Sequence, residues 1–302
     1  MEAPATTPEL GAAPSPLAAV RERARKLVRD ADAARAHLAE VHREGQEDEE
    51  AIHDFRVALR RLRSALRPLG LAWGKRKTRA LAERLRTIVE PTGELRDEEV
   101  LRETLATLRL RADVRAALTV WQVGRARRER GLRSRVVNGL SRSDDLSQIL
   151  QDIDRLVSAP AKRELAEPVL ARDALARAMR KLVDRALTAV PEDKLAMHDV
   201  RIAAKQLRYA AELFEGLVDV DCAAVAKSGA KLQKRLGHLH DLDEAKLRMG
   251  RAYGLVKPAR DEVLAAIARE RSHVEKKAVA DLDQEVGALG RVLEPEPGAG
   301  EP

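Results

Sequence analysis

His53-Asp54-Phe55-Arg56-Val57-Ala58-Leu59-Arg60-Arg61-Leu62-Arg63-Ser64-Ala65-Leu66 carries two interleaved periods. Ile52, Phe55, Leu59, Leu62, Leu66 and Leu69 recur at spacings of three and four. That spacing winds them onto one face of an α-helix able to pack in a bundle. His53, Arg56, Arg60, Arg63 and Arg67 repeat the spacing one residue later. One residue is about 100° of rotation, so the basic row lies on the shoulder of the apolar seam. At about 1.5 Å per residue the row runs for roughly 21 Å.

The pattern returns 145 positions later as His198-Asp199-Val200-Arg201-Ile202-Ala203-Ala204-Lys205-Gln206-Leu207-Arg208-Tyr209-Ala210-Ala211, identical at seven of fourteen positions. Met197, Val200, Ala204, Leu207, Ala211 and Phe214 form the second seam. His198, Arg201, Lys205 and Arg208 form the second shoulder row, which Glu212 ends. A further pair, Gly93-Glu94-Leu95-Arg96-Asp97 and Gly237-His238-Leu239-His240-Asp241, matches at an offset of 144. Two matches at almost one offset indicate an internal duplication. The predicted organisation is a flexible tail over 1–16, a first helical half over 17–158, a second over 159–291, and a tail over 292–302. Breaks are predicted near Gly45, from Pro68 to Gly74, at Pro91 to Gly93, near Gly139 to Asp145, at Pro160, at Pro191, from Gly216 to Asp221, at Gly237 and at Pro258. They divide the chain into roughly eight to ten helices.

Composition agrees. Of 302 residues, 44% are hydrophobic and 35% charged, which supports a packed core and excludes disorder throughout. Aromatics are only 2%, and Ala, Leu, Arg and Glu dominate, so the expected class is all-α. The single cysteine, Cys222, excludes a disulfide framework or a CxxC site and reads as a small core residue. No apolar run reaches 18 residues, so no transmembrane helix is expected. The first twenty residues hold Glu2 and Glu9 and no basic segment, unlike a signal peptide; the expected compartment is the cytoplasm.

The formal net charge is +7, and what matters is its concentration. Arg and Lys on a helix ordinarily form a solvated face with acidic partners a turn away. Here only Asp54 and Asp199 interrupt the rows, and the arrangement occurs twice. Like charges in a row cost a helix stability, which an anionic polymer would relieve. A third row, Lys227, Lys231, Lys234 and His238, with Arg235 beside it, follows the second copy; Lys75, Arg79 and Arg86 are its less regular counterparts. His53 and His198 head their rows and suit a hydrogen bond to phosphate or a charge gained near pH 6. Gly93 and Gly237 read as left-handed helix C-caps, and Asp97 and Asp241 as N-caps, the latter in a capping box with Glu244.

At these residues the sequence resembles the CHAD family, the conserved histidine α-helical domain, over roughly residues 17 to 290. The resemblance rests on His53, Arg56, Arg60 and Arg63, on His198, Arg201, Lys205, Arg208 and Tyr209, and on the Gly-x-x-x-Asp segments. Thr92, where a Leu often precedes that Gly, and His240 depart from the pattern. The resemblance implies two helical bundles related by a pseudo-two-fold axis, with a basic groove or channel between them. It also implies binding of inorganic polyphosphate and association with polyphosphate granules, without catalysis. Some members are fused to a CYTH triphosphatase domain; neither its E-x-E-x-K motif nor its strands are found in this sequence. The expected ligand-binding residues are His53, Arg56, Arg60, Arg63, Arg67, Arg79, His198, Arg201, Lys205, Arg208, Lys227, Lys231 and Lys234, with no metal and no cofactor.

Polyphosphate is a string of anions without bases, and arginine's planar fork suits its oxygens. Proteins that grip single-stranded nucleic acid usually add aromatic platforms, and this chain has two Trp, two Tyr and two Phe. Three other readings compete. Duplex DNA can be held through phosphates alone. His-Asp pairs at 53–54, 198–199 and 240–241 evoke HD-type metal phosphohydrolases, although adjacent helical residues point about 100° apart. A scaffold for an acidic protein is the third.

Overall fold

The structure, a computed structural model, describes residues 17–44, 48–141, 144–162 and 166–293. Among these residues it is all α-helix, with one 3-10 turn and no strand. In order the helices are α1 (Ala18–Arg43), α2 (Glu49–Trp73), α3 (Lys75–Val89), the 3-10 turn Glu90–Thr92, α4 (Gly93–Thr107), α5 (Ala112–Ser141), α6 (Asp145–Ser158), α7 (Glu167–Thr188), α8 (Lys194–Phe214), α9 (Cys222–Gly250) and α10 (Lys257–Leu293). The tail expected over 1–16 and the break at Gly45 lie outside the described residues, as does most of the tail expected from 292.

The two repeated motifs sit on α2 and α8, and the helices begin alike. The Asp48 carboxylate accepts from the backbone N–H groups of Glu50 and Ala51, and Asp193 accepts from Leu195 and Ala196. These caps are themselves 145 residues apart, and they satisfy donors that the first helical turn leaves open. Both seams are interior: Leu59, Leu62, Leu66 and Leu69 are fully buried, as are Val200, Ala204, Leu207 and Phe214.

Two apolar clusters hold the fold. One joins α1 to α6 around Phe55, Leu59, Leu85 and Ile153. The larger one is built on α7 to α10, but it takes in Leu17, Val20 and Ala24 at the start of α1 and Ala65, Leu69, Ala72 and Trp73 at the end of α2. Cys222 is buried there, its Sγ 3.8 Å from the Phe214 carbonyl oxygen.

Among the predicted breaks, those at Pro68 to Gly74 and at Pro91 to Gly93 are present, while the one at Gly237 and the cap reading of Gly93 are corrected. α2 continues through Pro68 and stops only at Gly74, whose φ of +103° is open to glycine. A proline inside a helix removes one backbone bond, and burial of Leu69, Ala72 and Trp73 beyond it holds the last turn in place. Gly93 is right-handed, at φ −63°, and opens α4 rather than capping α3. Gly237 lies inside an unbroken α9, so Asp241 caps nothing and makes no capping box with Glu244; Asp97 likewise sits within α4.

Candidate functional site

α2 and α8 pack against each other, and their basic shoulders meet. At one end Arg67 of α2 donates to Gln206 Oε1 of α8 at 3.2 Å, and the same oxygen accepts from Lys181 Nζ of α7 at 3.1 Å. Arg61 of α2 approaches Glu212 of α8 at 3.9 Å. Beside these contacts, Lys205 of α8 faces Arg60, Arg63 and Arg56 of α2 together with Arg201 of its own helix, one turn earlier. Burial, then repulsion from these four guanidinium groups, brings the Lys205 amine from 10.5 down to about 7.

The arginines carry the same signature. Arg56, held to the Thr92 carbonyl oxygen at 2.7 Å, is lowered to about 10, first by burial and then by Arg96 of α4. Arg63 and Arg201 are lowered chiefly by burial. The Nε atoms of Arg60 and Arg201 are enclosed with no hydrogen-bond partner. Buried donors are normally paired; two orphans in one cationic cluster mark a surface short of acceptors.

α9 completes the back wall. Gly237 lies beside Arg201, where a Cβ would make an ordinary contact at 3.7 Å from Arg201 Nε. One turn on, Asp241 faces Arg201; burial raises its pKa, opposed by Arg201, His240, Arg96 and His238. The rings of His198 and His240 stand 5.2 Å apart, tilted by 54°. Burial, then His240, then Arg201, hold His198 below the ordinary imidazole range.

Of the residues singled out from sequence, Arg56, Arg60, Arg63, His198, Arg201 and Lys205 are brought together, with Arg67 at the edge. Arg208 is instead tied to Glu212 at 2.7 Å and lies over the Tyr209 ring. Lys231 is held by Asp281 and Glu285 of α10, at 3.1 and 2.8 Å. His53, Arg79, Lys227 and Lys234 are exposed. Sequence reasoning missed Arg96, Gln206 and Thr92, and it read Asp241 as a cap. The second matched motif, containing Arg96, His240 and Asp241, was the signal that marked this wall.

Of the His-Asp pairs, Asp199 is engaged by Arg185 at 2.8 Å. Among the described residues no three His, Cys, Asp or Glu side chains are grouped to hold a metal ion. Nor is any helix there long and apolar enough to cross a membrane.

Comparison with known proteins follows the same lines. Two uncharacterised proteins from different strains of Mycobacterium tuberculosis are 32% identical over 178 residues, 54% of this chain and 34% of each relative. The chain therefore spans about a third of the length of the curated relatives it matches. The crystal structure of the CHAD domain from the plant Ricinus communis superposes with a TM-score of 0.63 at 22% identity, covering 96% of both chains. PptA from Streptomyces chartreusis superposes at 0.56 with 19% identity, over 90% of this chain and 99% of that one. The profile of the CHAD domain matches residues 25–250, across the α2 and α8 rows and the wall behind them, and the chain belongs to the CHAD domain family.

Proposed function

We propose that this chain binds inorganic polyphosphate, without turning it over, on the face that α2 and α8 share. The observation that carries this reading is Lys205 set among Arg56, Arg60, Arg63 and Arg201, with two enclosed arginine Nε donors unmatched. A fold spends stability to hold five like charges together; a linear polyanion supplies the missing acceptors and the missing charge at once. Guanidinium groups at successive helical turns suit phosphates spaced along a chain. The family membership is compatible with this ligand. In the same reading, residues 17–158 and 159–291 are duplicated halves related by a pseudo-two-fold axis, and the face is the groove between them. The protein works in the cytoplasm, at polyphosphate granules.

The test is direct titration with long-chain polyphosphate, in competition with duplex DNA at matched phosphate concentration. Polyphosphate is expected to win. Affinity should fall with salt at a log–log slope of about 0.7 per phosphate contact. The double variant Arg56→Ala with Arg201→Ala should bind more weakly and lower that slope by about 1.4, with its helical circular dichroism unchanged. Tighter binding to DNA, unaltered binding by the double variant, or phosphate release by a metal-loaded protein would each overturn the proposal.

A further inference from the structure

We propose that Lys181 of α7 and Arg67 of α2 form a second phosphate clamp one turn beyond the cationic cluster, and that Gln206 of α8 occupies the clamp in the empty protein. This rests on the polyphosphate reading and carries the ligand's path from the α2–α8 face onto α7.

The clamp stands at a junction of three helices, for α2, α7 and α8 all pack against one another. One oxygen joins them. Gln206 Oε1 accepts from Arg67 Nη1 at 3.2 Å and from Lys181 Nζ at 3.1 Å. Two cations therefore converge on a single neutral acceptor. Among the described residues neither is ion-paired: Asp199, which faces Lys181, is engaged by Arg185 at 2.8 Å, and Glu212 by Arg208 at 2.7 Å. Lys181 and Gln206 are half-buried, and Arg67 beside them is exposed, so a ligand can reach the pair. Burial, then Arg67, lower the Lys181 amine, as expected of a cation without a counter-charge. An ammonium carries three donors and a guanidinium five; one amide oxygen engages a single donor of each.

Position points to the occupant. Arg67 follows Arg63 by four residues, about 6 Å along α2, so a chain lying on Arg56, Arg60 and Arg63 runs on to it. A small anion is served by the five cations of the cluster; a polymer uses the next pair as well. In the bound state a phosphate oxygen takes the place of Gln206 Oε1 and accepts from both cations. The amide turns over and donates its N–H groups to the same phosphate. Glutamine can serve in both states because it leaves the charge of the pair uncancelled, which a glutamate would not. The consequence is a preference for chains long enough to reach from Arg56 to Arg67, about 17 Å along the helix.

Titration with long-chain polyphosphate, and with pyrophosphate as a ligand too short to span the face, tests this. Lys181→Met should weaken long-chain binding about tenfold and lower its log–log salt slope by about 0.7. Pyrophosphate affinity should stay within about twofold. Lys181→Arg should restore the long-chain affinity and the slope. Gln206→Glu should weaken long-chain binding at least about tenfold yet raise the melting temperature, because its carboxylate neutralises the pair in the empty protein; a packing defect would lower both. Lys276→Met removes an exposed charge on α10 and should change long-chain affinity by less than about twofold. Should Lys181→Met lose its helical circular dichroism, Gln206→Glu carries the test alone. Long-chain affinity unaltered by Lys181→Met or by Gln206→Glu overturns the clamp and leaves the polyphosphate reading standing. An equal loss in Lys276→Met, or an equal loss for pyrophosphate, does the same. Wild type that binds no polyphosphate ends both.

Discussion

Replacing Lys205 by Met should make the empty protein more stable. The two side chains are similar in length, so packing changes little, while one of five clustered charges is removed. The lysine's fall from 10.5 to about 7 corresponds to roughly 5 kcal/mol of penalty for carrying the charge, at about 1.4 kcal/mol for each tenfold change in proton affinity. That is an upper limit, because the guanidinium groups can relax apart and counterions screen them. A gain of about 1–3 kcal/mol is expected, in the range seen when buried charges give way to apolar groups. The sign with pH follows from the lowered folded-state value. Below about pH 7 both folded and unfolded chains hold the proton, and the penalty is complete. As pH rises from 7 toward 10.5 the folded chain has already released it, so the penalty fades, and the advantage of Met fades with it. Urea unfolding at pH 6.5, 8 and 9.5 in low salt measures this. A variant less stable than wild type, or a gain constant across that pH range, would refute the reasoning that the cluster is frustrated at Lys205.

Four further outcomes are expected. Leu59→Ala, at a fully buried position of the α2 seam, should cost about 2–5 kcal/mol in denaturant unfolding. Gly229→Ala should destabilise by about 1–3 kcal/mol, since its Cβ would stand 3.0 Å from the Ala204 carbonyl oxygen where α9 crosses α8. Gly124→Ala in α5 meets nothing within 4 Å and should instead stabilise by about 0.5–1 kcal/mol in the same assay. Lys231→Ala should leave polyphosphate affinity within about twofold, because the ammonium is held by Asp281 and Glu285; a larger loss would return the third basic row to the site.

Much of the fold was legible because its decisive helices obey a short-range rule. The seams of α2 and α8 lie inside where their spacing puts them. What escaped depends on partners far along the chain. Lys231 and Arg235 read as a free basic row, yet their carboxylates, Asp281 and Glu285, come from α10, 46 to 54 residues later. Gly237 reads locally as a helix end; the packing of α9 on α8 decides otherwise. Arg208, by contrast, was quenched by Glu212 at a spacing visible in the sequence. Arg96 joins the cluster from α4, a helix whose own pattern gives no sign of which neighbour it will face.

The way the interior is shared bears on how the molecule can be dissected. The first turns of α1 and the last turns of α2 are embedded among α7 to α10, and Trp73 donates to the Ala159 carbonyl oxygen at 3.1 Å while Lys162 donates to that of Ala72 at 2.9 Å. Cut at residue 158, the C-terminal fragment would bare the side of its interior that Leu69, Ala72 and Trp73 cover. It should self-associate rather than fold alone. Melting is expected as one transition, because the larger cluster draws its side chains from both halves of the chain.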